Sequence, residues 1–255
     1  MSSITLPASF NVGKAVAIAI LLLLMLAVNS VAQIRKYDRR WFACRAVAES
    51  VKVQTWRFMM KADPYSGNSD YAILKSRFVD DVLQSLNSQP EARLEIGSQL
   101  VGRTQVTPVM EEIREKSMNE RRQLYVNERI QDQKVWYSKK ASQNSKSESR
   151  WFYFSVALQA LSAVVALVLV FYNDAPINPV GIIATAAAAG ISWTNARSHR
   201  ELSQSYGLVA QELAGLEDKA SEATTEEALE RLVIEVERTI SREHTLWKAR
   251  RLATL

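Results

Sequence analysis

The stretch WFYFSVALQALSAVVALVLVFY, Trp151 to Tyr172, decides the fold class of this 255-residue chain. It contains no charged residue. As a helix rising about 1.5 Å per residue it is about 33 Å long, enough to cross a hydrocarbon layer of about 30 Å. Trp151, Phe152 and Tyr153 stand at one end and Phe171 and Tyr172 at the other, where interfacial aromatic belts form. The competing reading, a buried hairpin in a soluble core, carries far less weight.

Two further apolar windows flank it. AVAIAILLLLMLAV runs from Ala15 to Val28 and extends to about Ile34, and an alanine- and glycine-rich stretch runs from about Ile177 to Trp193. The latter is only moderately hydrophobic. Placed directly after the short NDAPINP loop, it reads as the return leg of a hairpin. Ser30-Val31-Ala32 resembles a signal-peptidase site, yet the basic cluster Arg35, Lys36, Arg39, Arg40 follows the apolar run instead of preceding it. The expected fold is therefore an all-α membrane protein with three transmembrane helices and cytoplasmic helical hairpin or coiled-coil-like regions.

Lysine and arginine in short flanks set orientation. Lys14 precedes the first segment, and four basic residues follow it. Lys139, Lys140, Lys146 and Arg150 precede the hairpin, Arg197 and Arg200 follow it, and its loop carries Asp174 and no base. All three segments agree on an inner-membrane, multi-pass protein with its N-terminus outside and its C-terminus cytoplasmic. The expected division is residues 1–34 (first segment), 35–150 (cytoplasmic helices), 151–195 (membrane hairpin) and 196–255 (cytoplasmic helical pair).

The mean hydropathy of −0.12 hides this division. Eight glycines and six prolines are few for an all-β chain. A single cysteine, Cys44, excludes an intramolecular disulfide and a cysteine-based zinc site within one chain. The net charge of +5 is modest, and basic residues beside apolar segments suit topology and anionic lipid better than nucleic acid.

Outside the membrane the periodicity is helical. Trp41, Cys44, Ala48, Val51, Thr55 and Phe58 step by three and four, up to the Asp63-Pro64 stop. Helices are expected near Asp70 to Leu86 and after Ser88-Gln89-Pro90-Glu91. A long polar helix is expected from Pro108 through Met110, Ile113, Met118, Leu124 and Ile130 toward SQNSKSES, itself read as a linker or frayed end. Leu202, Tyr206, Val209, Leu213 and Leu216 make one seam. After a capping box at Thr224 and Glu227, Leu229, Leu232, Val233, Val236, Ile240 and Trp247 make another. The two seams are expected to pack as an antiparallel pair. FNVGKAVAIAI and INPVGIIATAA each open a membrane helix that ends in a basic cluster, which suggests two related units in tandem.

No catalytic constellation is visible. His199 and His244 sit in different helices, in no metal-ligand spacing, and there is no phosphate loop or nucleophile elbow. The expectation is a non-enzyme without metal or cofactor. The membrane helices carry the candidate residues. Ser155, Gln159 and Ser162 share a face of the second segment, and Thr185 lies along the third with Gly181 and Ala189. Small and hydroxylated residues either form a helix-packing seam or, after assembly, line a water-filled path. No charged group lies inside any segment, which argues against a proton relay or a coupled transporter.

WFACRAVAESVKVQTWRFMMKADPY, and ISREHTLWKARR after a two-span hairpin, resemble the SLATT families, two-transmembrane effector domains of bacterial nucleotide-signalling conflict systems. The residues carrying the likeness are Arg45, Glu49, Lys52, Trp56 and Pro64-Tyr65 in the first unit, and Glu237, Ser241, Glu243, His244 and Trp247 in the second. The resemblance implies a membrane effector that forms an oligomeric pore or perturbs the bilayer on activation. Its partners would be the lipid bilayer, further copies of itself and a nucleotide-signal sensor or synthase. A membrane-anchored scaffold recruiting partners through its cytoplasmic helices is the alternative. The family unit has two membrane helices and the first unit here has one, so Met1 as an internal start, with a further helix before it, is one reading of the departure.

Overall fold

The computed structural model describes residues 8–35, 37–67, 70–96, 104–171 and 179–253. Among them every regular element is a helix. The chain divides into two compact units: residues up to Val51 together with Val82–Arg103, and Lys52–Asp81 together with Thr104 onward.

In the first unit, α1 (Ala8–Arg35) is the first apolar segment. Leucines 21–24, Met25, Leu26 and Val28 are all exposed, on every side of the helix, as in a helix whose solvent is lipid. The start of α2 (Tyr37–Met59), the end of α3 (Tyr71–Asn87) and α4 (Pro90–Ile96) supply the core of this unit. Ala43, Val47, Leu86 and Ala92 are buried there, with Cys44 and Val51 against them. This corrects the expected face of α2. Trp41 is exposed, carrying Arg45 over its ring at 5.3 Å, and Ala48 is exposed too. The buried stripe follows the small residues one step round the helix, because they permit close approach and the indole does not.

In the second unit, α5 (Pro108–Glu115) starts on a Thr107 cap with proline at its first position, as expected. The long polar helix is broken: Ser117 and Glu120 form a capping box that begins α6 (Met118–Tyr125). A π-helical turn, Val126–Gln131, joins α6 to α7 (Asp132–Phe171). The SQNSKSES stretch lies within α7 and is helical, neither a linker nor a frayed end. The run Met118–Phe171 is the one described helix long and apolar enough to cross a membrane, and Ile18–Val28 is a shorter apolar stretch.

α8 (Val180–Arg197) returns along α7. The NDAPINP connection lies largely outside the described residues. Ser198 takes the left-handed conformation at φ 50° and ends α8, so that α9 (His199–Ala220) turns down against the polar half of α7. α10 (Glu226–Ala253) packs on α9. Its cap is Thr225, whose hydroxyl accepts from Ala228 N–H at 3.2 Å, one residue later than the expected Thr224. The two seams meet as expected: Tyr206, Val209, Leu213 and Leu216 of α9, and Leu229, Leu232, Val233, Val236 and Ile240 of α10, are buried. Tyr137 of α7 joins them, its ring 5.8 Å from that of Tyr206, which makes the pair a three-helix bundle.

Candidate functional site

Two layers of the second unit hold polar groups where water is scarce. The upper layer is the α7–α8 pair. Its seam on α7 is Ser155, Leu158, Ser162 and Val165, and on α8 Ile183, Ala187, Gly190 and Thr194. Steps of three and four keep each set on one face. Gly190 lies close against α7: a Cβ there would stand 3.0 Å from Ser155 Oγ. That hydroxyl is buried and has no hydrogen-bond partner. Ser162 donates across the seam to the Val180 carbonyl at 3.5 Å.

Of the four candidate membrane residues, Ser155 and Ser162 therefore face the partner helix. Gln159 and Thr185 lie outside the seam and are exposed. Thr185 satisfies its hydroxyl on its own helix, through the Gly181 carbonyl at 2.7 Å. At the end of the pair away from the NDAPINP connection, Trp151 of α7 and Trp193 of α8 stand at the same level, ring centres 6.4 Å apart, with Arg197 over Trp193 at 4.6 Å.

The lower layer is a set of buried arginines. Helix α2 leaves carbonyls without intrahelical donors at its C-terminal end, and arginines supply donors there and to the loop that follows. Arg114 donates to the carbonyls of Phe58 and Tyr65, and Arg121 to that of Met60 at 2.7 Å. Arg121 is fully buried and also pairs with Glu226 at the start of α10. The Arg114 guanidinium lies 4.8 Å from the Phe58 ring centre, within a cluster of Phe58, Tyr65 and Phe78. Tyr65 donates to Asp81 at 2.6 Å, and burial, then that bond, push its phenol far above the ordinary tyrosine range.

Beside the π turn, Arg129 makes a two-pronged pair with Glu237, Nε to Oε1 at 2.9 Å and Nη2 to Oε2 at 2.7 Å. Tyr125 donates to the same carboxylate at 3.0 Å, and Trp56 meets the Tyr125 ring edge-on at 5.5 Å. Burial and the neighbouring Glu237 charge hold the Tyr125 phenol well above its ordinary value. A desolvated carboxylate needs donors for both oxygens, and this one has them.

The residues singled out for their family likeness are scattered. Trp56, Tyr65 and Glu237 belong to the lower layer. Arg45 and Glu49 are half-buried on the first unit's part of α2. Glu243, His244 and Trp247 fall on α10, but their side chains lie outside the described residues. Sequence reasoning missed Arg114, Arg121 and Arg129. Arg121, Tyr125 and Arg129 recur every fourth residue, which marks a single face, but charged residues at that spacing read as a solvated stripe. Among the described residues, no cluster of acidic, histidine or cysteine side chains could hold a metal ion.

A helical protein with an outward-facing apolar hairpin, and polar chemistry turned toward its own packing, belongs with membrane-associated proteins. Residues 1–122 match the SMODS and SLOG-associating 2TM effector domain 3 and residues 125–247 the SMODS and SLOG-associating 2TM effector domain 1. The chain belongs to the SLATT family and carries two of its domains in tandem. These domains are effectors of nucleotide-signalling conflict systems. The junction between the two matches falls at the end of α6, just before the π turn. No curated protein and no solved structure matches the chain.

Proposed function

We propose that this protein is a membrane effector of a bacterial nucleotide-signalling, antiphage system, which assembles into homo-oligomers that open a pore or perturb the bilayer on activation. The observation that supports this best is the exposure of the apolar surface. In α1 it is uncovered all round, and in α7 Leu161, Val164, Leu167 and Val170 face outward. Lipid or further copies must cover it. Three segments cross the inner membrane, α1 and the α7–α8 hairpin, with the N-terminus outside and the arginine-rich layer and three-helix bundle in the cytoplasm. The basic flanks of all three segments support this orientation. In that position the bundle is available to a sensor or synthase of the signalling system, the kind of partner the family description implies.

Gln159 carries the test. It is the only amide in the segment and lies outside the intrachain seam. An amide facing hydrocarbon without a partner is costly, so it meets either a neighbouring copy or water. Gln159→Leu leaves length intact and removes polarity. If the residue faces a lumen, the added apolar ring obstructs conduction while assembly persists. Ion leakage is measured from vesicles holding equal amounts of assembled protein, with Leu161→Ala as control. A sharp fall for Gln159→Leu alone is expected. Unchanged leakage removes this residue from the path. Parent vesicles that stay tight under every activating nucleotide tried favour a recruiting scaffold.

A further inference from the structure

The serine-rich part of α7 just below the membrane segment presents an open face, walled by this helix alone. Gln143, Lys146, Ser147, Arg150 and Tyr153 are among the residues bordering a shallow depression of about 760 Å³ there. Lys146 and Arg150 lie one turn apart, on the same face, and both are exposed. The nearby polar residues with partners point elsewhere. Asn144 contacts His199 Nδ1 on α9 at 2.8 Å, and Glu148 is close enough to His199 to act on its charge.

Among the described residues no carboxylate lies within 4 Å of Lys146 or Arg150. Among the described residues Arg150 donates to Ser147 Oγ alone, at 3.3 Å. Two other lysines of this helix are engaged: Lys134 pairs with Glu217, and Lys140 lies over the Trp136 ring at 5.8 Å.

Depth separates the two groups again. The Trp151–Trp193 pair marks the level where the apolar segment begins. At about 1.5 Å per residue the Cα atoms of Arg150 and Lys146 lie about 1.5 and 7.5 Å below it. A headgroup layer is about 5–8 Å thick on each side. Lys139, about 18 Å below, lies beyond it. Above Tyr153 on the same face, Val164 and Val168 are exposed apolar side chains.

We propose that this face of α7 is a binding site for an anionic phospholipid. Arg150 and Lys146 take the phosphate, Ser147 supplies a further donor, and the acyl chains lie along Tyr153, Val164 and Val168. Guanidinium binds phosphate with a two-donor fork and lysine adds a point charge. Free phosphate shares the headgroup chemistry. The unbroken apolar strip above the cations is what selects a lipid.

The inference rests on the reading that α7 crosses the bilayer with this end at the interface, and it is independent of pore formation. The full-length protein is extracted in uncharged detergent and titrated with fluorescent phosphatidylglycerol, with phosphatidylcholine and inorganic phosphate as separate arms. Lys146→Gln/Arg150→Gln is compared with Lys139→Gln/Lys140→Gln, each checked for intact helicity and size. Affinity for phosphatidylglycerol above that for phosphatidylcholine is expected. So is a loss on the order of 25-fold for the 146/150 pair, the effect of two cations at a lipid surface, with less than about a threefold change for the 139/140 pair. Equal losses from both pairs, or none from 146/150, overturn the site. Displacement of the lipid by millimolar phosphate overturns the assignment to lipid. Release of the parent from membranes by alkaline carbonate sinks the membrane reading and the site together. Retention with no lipid selectivity sinks the site alone.

Discussion

Replacing Glu237 by alanine removes the carboxylate that Arg129 grips with two donors, in a place water does not reach. Arg129 is 3 % exposed and Glu237 is fully buried. The carboxylate accepts from Arg129 twice and from Tyr125 once. Breaking a buried ion pair from one side costs about 3–5 kcal/mol, and the orphaned phenol adds a fraction of the roughly 1–3 kcal/mol of an unpaired buried donor. The expected loss for Glu237→Ala is about 4 kcal/mol, a large part of a domain's stability. Arg129→Met/Glu237→Leu removes both charges and keeps the volume, so it should recover most of that loss. Urea unfolding of the purified protein in mild detergent, followed by near-ultraviolet dichroism, reads both variants. The reasoning fails if Glu237→Ala unfolds within 1 kcal/mol of the parent. It fails equally if the double replacement is as damaging as the single one, because the harm would then come from packing.

Where Gly190 meets Ser155, Gly190→Leu should push α7 and α8 apart and lower the thermal midpoint in detergent by several degrees. Ser155→Ala should be neutral or slightly stabilising, because its buried hydroxyl has no partner to lose. A loss above about 1 kcal/mol for Ser155→Ala would falsify that account. Val236→Asp places a charge at a fully buried position of the three-helix bundle and should cost several kcal/mol; a variant that melts like the parent means the seam is misplaced. In a Cys44→Ser background, Asn178→Cys should react with an impermeant thiol reagent on intact cells and Ser221→Cys should not. Labelling of Ser221→Cys from outside would reverse the orientation.

The apolar periods and the stop signals were legible because burial and proline act locally. Tyr206, Val209, Leu213 and Leu216 repeat as a seam and are buried as one. What escaped depends on partners distant in sequence. Arg114 and Arg121 look like surface cations until the end of α2, more than fifty residues earlier, presents carbonyls to them. The helix across SQNSKSES was hidden by residues of poor intrinsic propensity, which α9 holds in place: Ser203 bonds the Ala141 carbonyl at 2.9 Å. Ser155, Gln159 and Ser162 shared a face on paper. Ser155 is the inward one, set against Gly190, where a side chain would crowd its hydroxyl, while Gln159 is exposed.

The uninterrupted run Met118–Phe171 spans 54 residues and is therefore about 80 Å long. Its lower end is clamped through Arg121 to α2 and α10, about 45 Å below the Trp151 level. Such a rod acts as a lever arm. A tilt of about 5° at the clamp sweeps the far tip through about 7 Å, close to the spacing between packed helices. With α7 placed across the bilayer as proposed, a small displacement made at the clamp arrives at the far tip as a movement approaching the width of a helix.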